Sequence, residues 1–518
     1  MKDLLKPLVV LLSVCSPVAA QQVPKLVVLL TVDEFRTDLY EAMAPHLSES
    51  GLARLTREGR VYDAVIHPLA TADPVASEAV LQTGTLGLTS GITGRRAVVR
   101  KEGGKRSREG SILEDKNYIG YATADRLSPL ALRAPVLADR LSQATHGLGQ
   151  VFSIAPCAEE AIIAGGHEAQ AAYWLDDSTA RWVSSTFYPA GLPWYISKSS
   201  TVATRLDKGS ITWQASDPAL YASLLPYAGS GAFASDHIYT RAFSSVQDLK
   251  HSPVVNEYVI RLAEAVIEGA GLGSDASVDL LALHLTAGTP PGVPAGISPE
   301  LLDSYHLLDR AVGELMDLLD RKFGQGEVLL ALTGNGMARQ ELIRNDKKRY
   351  PTFSPERCRA ITNMYLHAKY GIKGLVTEVT DRGELYLDRT LIEKRDDLTL
   401  AEVQDAVSSF LLEMAGVSYT IPDHTLRDLL PGDRIGTARL TALHSALPSH
   451  RADVFVGISP GYVVDRGTEP AQPSYAPMPT MFILWGAGIE PEVISAPLDL
   501  RRVSREISHV LRIRPPTP

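Results

Sequence analysis

Predominantly apolar runs of strand length, separated by longer amphipathic segments, constrain this chain more than any other feature. Leu26 to Val32 is the first such run, and it ends at Asp33. Gln150 to Ala155, Val278 to Thr286 and Glu327 to Thr333 follow, and Asp453 to Ile458 and Thr480 to Trp485 read as two more. A strand with one wet face alternates apolar and polar residues, whereas a continuous apolar run suits a strand covered on both faces. Alternation with helical segments then predicts an α/β fold with a mainly parallel central sheet and helices on both faces. The clearest predicted helix is Ser298 to Phe323, with Ser298 as its cap and Pro299 in its first turn. Leu302, Tyr305, Leu308, Val312, Leu315 and Leu319 lie along one stripe of it. Strand–loop–helix units of this kind carry functional loops at the carboxyl ends of their strands.

The chain has 518 residues, 45% hydrophobic and 21% charged, which excludes a disordered polymer. Lys and Arg number 51 against 60 Asp and Glu, a net charge of −9 that argues against a nucleic-acid partner. Residues 1–20 read as a secretory signal: Lys2 and Lys6 precede the apolar run Leu8 to Val14, and Val18 and Ala20 prepare cleavage before Gln21. Val14 stands before Cys15 where a lipoprotein signal has a small residue, so lipidation is not expected. No later run has the length of a membrane span. The expectation is a secreted, periplasmic chain whose residues 21–518 form one domain. Polar or charged insertions near 95–120 and 340–445 would supply a lid or crown. Besides Cys15, only Cys157 and Cys358 occur, too few for a disulfide scaffold.

Residues 95–108 hold Arg95, Arg96, Arg100, Lys101, Lys105, Arg106 and Arg108 against Glu102. This local excess in an acidic chain marks a candidate binding segment for an anionic polymer, lipid head group or acidic partner. A solvated loop is the plainer alternative.

Several short motifs recur in a fixed order. They are Val32-Asp33-Glu34-Phe35-Arg36-Thr37-Asp38, Gly51-Leu52-Ala53-Arg54-Leu55, Ser90-Gly91-Ile92-Thr93-Gly94, Ala171-Ala172-Tyr173-Trp174 and Trp485-Gly486-Ala487-Gly488-Ile489. In order and spacing the chain resembles the alkaline phosphatase superfamily. It is similar in particular to the bacterial periplasmic phosphatases that share a fold with nucleotide pyrophosphatases and phosphodiesterases. The resemblance implies hydrolysis of phosphate esters by a Thr or Ser nucleophile and two zinc ions held by His and Asp. Zinc lowers the pKa of the nucleophile and stabilises the leaving oxygen.

Matched position by position, most of that machinery is missing. Asp33 stands at a family ligand position. The nucleophile position falls on Pro74 or Val75, and Thr71 is the nearest hydroxyl. Thr289 and Val293 stand where the second motif has Asp and His. Asn335 and Gly336 replace the next Asp and His, and Pro477 replaces the last His. His284 lies inside a strand, where packing is the expected role. The phosphate-binding Asn corresponds to Arg95, and a Lys-x-Arg pair corresponds to Cys157 and Glu159. Asp33 and Asn335 are thus vestigial metal positions and Thr71 a vestigial catalytic candidate.

The expectation is a pseudoenzyme without zinc or other cofactor, binding a protein partner in the cell envelope. The alternative is a diverged phosphate mono- or diester hydrolase using Asp33, Thr71 and Asn335.

Overall fold

The computed structural model describes residues 23–69, 73–100, 106–199, 201–224, 238–290, 293, 297–324, 326–339, 351–427, 442, 445, 451–466, 469–473 and 475–517. The predicted signal at 1–20 and Thr71 lie outside the described residues.

An eleven-stranded sheet organises the molecule. Its middle reads, in spatial order, Val328–Gly334, Leu26–Asp33, Asp279–Thr286, Val151–Ile154 and Ala171–Leu175. These neighbours run parallel, with Leu26 opposite both Asp279 and Val328, and Asp33 opposite Thr286. Residues of the first strand are buried up to Val32, as its unbroken apolar run requires. Each such Leu or Val contributes roughly 1.5–3 kcal/mol by leaving water. Outside the parallel block the direction reverses: Thr480–Gly486 pairs antiparallel with Val328–Gly334 and with Arg60–Ile66. Trp182–Ser185 does the same beside Ala171–Leu175.

The long helix is Pro299–Lys322, and Ser298 Oγ accepts from the Leu301 amide at 3.1 Å. Of the predicted stripe, which also includes Leu301 and Met316, Leu302, Tyr305, Leu308, Val312, Leu315, Met316 and Leu319 are buried, and Leu301 in the first turn is half-buried.

Asp453 to Ile458 departs from its predicted place. The strand Val454–Ile458 belongs to a separate four-stranded sheet, flanked by Glu384–Leu387 and Val417–Pro422. With the helices Pro355–Tyr370 and Leu400–Leu412 it encloses a second hydrophobic core that includes Cys358, Leu366, Val403 and Val456. A two-faced apolar run fits either sheet, and its register with local neighbours decides between them. Strands Val463–Arg466 and Glu469–Pro473 also pair outside the central sheet, so accessory structure continues past residue 445.

This unit is fastened to the sheet body by Arg382. Its guanidinium donates to Asp73 Oδ2 at 3.0 Å, to the Thr93 carbonyl at 2.9 Å and to Glu384 Oε2 at 2.8 Å.

Candidate functional site

The carboxyl ends of the parallel strands converge on Asp33. Its backbone carbonyl accepts from the Ala287 amide at 2.8 Å, which holds two strand ends together. Asn335 follows the strand Val328–Gly334, and its Nδ2 donates to Asp33 Oδ1. The other Asp33 oxygen lies 3.0 Å from His284 Nε2. His284 Nδ1 faces Glu78 Oε2 at 3.8 Å. Glu78 is fully buried in the helix Pro74–Thr83, and Gln82 Nε2 donates to its Oε1 at 2.9 Å.

These groups form one electrostatic unit. Burial opposes the charge on His284, but the Asp33 carboxylate beside it, and then Glu78, push its pKa up to about 9. Burial also opposes ionisation of Asp33, and the His284 cation overrides it, holding that carboxyl below its ordinary range. Burial pushes Glu78 up to about 7, and His284 and the Gln82 amide offset it only in part. At neutral pH the imidazolium of His284 is therefore the cation for Asp33.

Two guanidinium groups complete the site. Arg95 Nη1 donates to Glu159 Oε2 at 2.5 Å and Nη2 to Glu160 Oε1 at 2.6 Å. Arg339 Nε reaches Glu34 Oε1 at 3.0 Å and Oε2 at 3.2 Å, and its Nη2 donates to Thr289 Oγ1 at 3.0 Å. His251 beside them stays neutral, because burial and then Arg95 and Arg339 lower it to about 4. The cleft bordered by Asp33, Arg95, Cys157, Glu160, His251 and His284 leaves a volume of about 30 Å³, space for a water or two.

The sequence profile of the type I phosphodiesterase/nucleotide pyrophosphatase family matches residues 27–340. The chain belongs to that family. Among relatives of this phosphodiesterase-family chain, alkaline phosphatase PafA of Elizabethkingia meningoseptica is 25% identical over 414 residues, covering 77% of this chain and 75% of that protein. A Myroides odoratus protein named calcium-transporting ATPase is 26% identical over 416 residues, with 77% and 75% covered. The crystal structure of wild-type alkaline phosphatase PafA superposes with a TM-score of 0.80 at 20% identity, covering 95% of this chain and 96% of that one. The fold is thus that of the alkaline phosphatase superfamily, as the motif order implied.

The donor set of this family member does not fit the two zinc ions of the superfamily. Among the described residues no three His, Cys, Asp or Glu side chains converge to hold a metal ion. Both Asp33 oxygens face groups of the protein itself. Thr289 is engaged by a guanidinium, which cannot ligate a metal. A dication roughly 4 Å from that charge would be repelled by about 8 kcal/mol at an effective dielectric constant of about 20. Gly336 has φ +72°, and a Cβ built there would lie 3.2 Å from the His67 side chain, so the position is shaped for glycine rather than for a ligand. No metal-dependent step follows from such a site.

The structure brings Asp33 and Asn335 into contact. Pro74 and Val75 open a helix whose cap is Asp73, accepting from the Val75 and Ala76 amides at 3.0 and 3.1 Å. Of the basic segment, Arg95 pairs with Glu159 and Glu160, which supplies the cation for those two carboxylates. Arg96 is exposed. Arg100, Arg106 and Arg108 lie on a two-stranded ribbon, Arg96–Arg100 with Arg106–Ser111, whose side chains fall outside the described residues. Lys101 and Lys105 are also outside them.

The expected packing role of His284 is corrected: it is the charged centre of the site. Its signal was a polar side chain inside an otherwise apolar strand, and Glu78 in an apolar helix carried the same signal. Arg339 and Glu34 carried none, since only the fold makes them neighbours. Cys157 and Cys358 are both free thiols.

Proposed function

We propose that this chain is a phosphodiesterase-family protein that has lost metal-dependent ester hydrolysis and acts as a binding or scaffolding protein of the cell envelope. One observation carries the reading. The carboxylates at the strand ends are matched by cations from the chain itself: His284 at Asp33, Arg339 at Glu34, and Arg95 at Glu159 and Glu160. A hydrolase of this family needs those positions free for metal and for the phosphoryl group. Fold and activity separate readily when a site is rebuilt on an intact scaffold.

The envelope assignment rests on the signal-like sequence of residues 1–20 and on relatives named as bacterial alkaline phosphatases. Among the described residues no helix is long and apolar enough to cross a membrane. A protein partner is favoured because the chain's own cations occupy the cleft while the fold retains a large accessory unit that could present a docking surface.

The test is bound metal per chain on protein folded in excess zinc and then desalted, with mono- and diester hydrolysis assayed on the same sample. The expected result is no retained zinc and no metal-dependent rate, with Asp33→Ala indistinguishable from the parent. One or two retained zinc ions and a rate that falls in Asp33→Ala would establish the diverged hydrolase instead.

A further inference from the structure

We propose that Arg339 does in this site the mechanical work of a metal ion: it is an internal cation that fixes the loops after three neighbouring strands. Those strands are Val328–Gly334, Leu26–Asp33 and Asp279–Thr286, adjacent in the sheet. Arg339 follows the first of them. Its Nε meets both oxygens of Glu34, just after the second, and its own backbone amide donates to Glu34 Oε2 at 3.3 Å. Its Nη2 meets the hydroxyl and the carbonyl of Thr289, after the third.

Both the Arg339 and Glu34 side chains are nearly buried, at 11% and 12% exposure. A buried guanidinium with two loops as acceptors spans what separate hydrogen bonds would not, because its donors are fixed in one plane.

The surrounding backbone is shaped to the same point. Glu34 has φ +58°, a left-handed conformation that is rare for a residue with a side chain. A Cβ at Gly288 would sit 2.6 Å from Glu34 Oε1, so a side chain there would displace that carboxylate from where Arg339 meets it. Thr289 stands at a family ligand position. In this chain the cation at these strand ends is thus a side chain, and the oxygens that face it are those of Glu34 and Thr289.

The inference shares with the proposed function only the premise that no zinc sits here. The metal content of the unmodified protein tests that premise separately.

The experiment compares thermal midpoints of the full chain carrying Arg339→Ala, Arg339→Met or Arg339→Lys. Each is measured with chelator, with millimolar calcium or magnesium, and with millimolar guanidinium ion. The unmodified protein should be indifferent to all additions. Arg339→Ala should melt several degrees lower and recover at least half of the loss when guanidinium or a hard divalent cation is supplied, because oxygen ligands suit such ions. Arg339→Lys should lie well above Arg339→Met.

Should Arg339→Ala fail to fold, Glu34→Gln and its double variant with Arg339→Met decide the matter. The double variant should be no worse than the worse single one. Additive losses, Lys no better than Met, or an Arg339→Ala midpoint equal to the parent would each overturn the assignment.

Discussion

Replacing His284 by Asn tests the electrostatic unit at its centre. His284 is 4% exposed and stands between Asp33 and Glu78. Its pKa rises from an ordinary 6.5 to about 9 because the Asp33 and Glu78 carboxylates outweigh the cost of burial. At about 1.4 kcal/mol per unit this corresponds to about 3 kcal/mol, the lower edge of what breaking a buried ion pair costs. A histidine whose folded pKa is raised contributes its full stabilisation below its unfolded pKa. It loses that contribution as the pH climbs through the folded value. The benefit of His284 is therefore complete below about pH 6.5 and gone above about pH 9.

An unfolding entropy of about 2.1 cal/mol/K per residue gives roughly 1 kcal/mol/K for a chain of this length, so His284→Asn should melt about 3 °C lower near pH 6. The gap should close as the pH approaches 9. The assay is a series of thermal midpoints for parent and variant across that range in one buffer system. A gap that stays constant with pH, or is absent at pH 6, would mean that His284 is not the charged partner of Asp33.

Two further outcomes follow from other buried groups. Asp303 is fully buried and accepts from Trp213 Nε1, the Tyr221 and Tyr239 hydroxyls at 2.6 and 2.8 Å, and the Ser216 amide at 2.9 Å. Asp303→Asn should cost about 3 kcal/mol, since hydrogen bonds to a charged acceptor are worth more than neutral ones. It should also accelerate hydrogen exchange in the paired strands Thr212–Gln214 and Thr240–Ala242, and unchanged exchange there would refute the role. Burial and then Glu160 push the Cys157 thiol up to about 12, and Cys358 is raised to about 11. Neither should react with an aromatic disulfide reagent near pH 8 in the native protein, and both should react in denaturant. Rapid native labelling of Cys157 would place a thiolate in the cleft and contradict this charge arrangement.

Much of the scaffold is written in local pattern. The unbroken apolar run ending at Asp33, the capped stripe from Ser298 and the run Val278 to Thr286 each became the element they predict. In each case one short window contains the whole signal: burial on both faces, or burial at helical period. Motif order gave the family.

The sequence alone thus determined the central sheet, its helices and the superfamily, because all of these depend on residue type at fixed spacing. Which cations meet the carboxylates at the strand ends was decided by tertiary structure. Arg339 lies 305 positions from Glu34 and 50 from Thr289, and His284 lies 251 from Asp33. Charge pairing depends on distance in space, and only closing the parallel sheet brings those separate strand ends to within about 3 Å of one another.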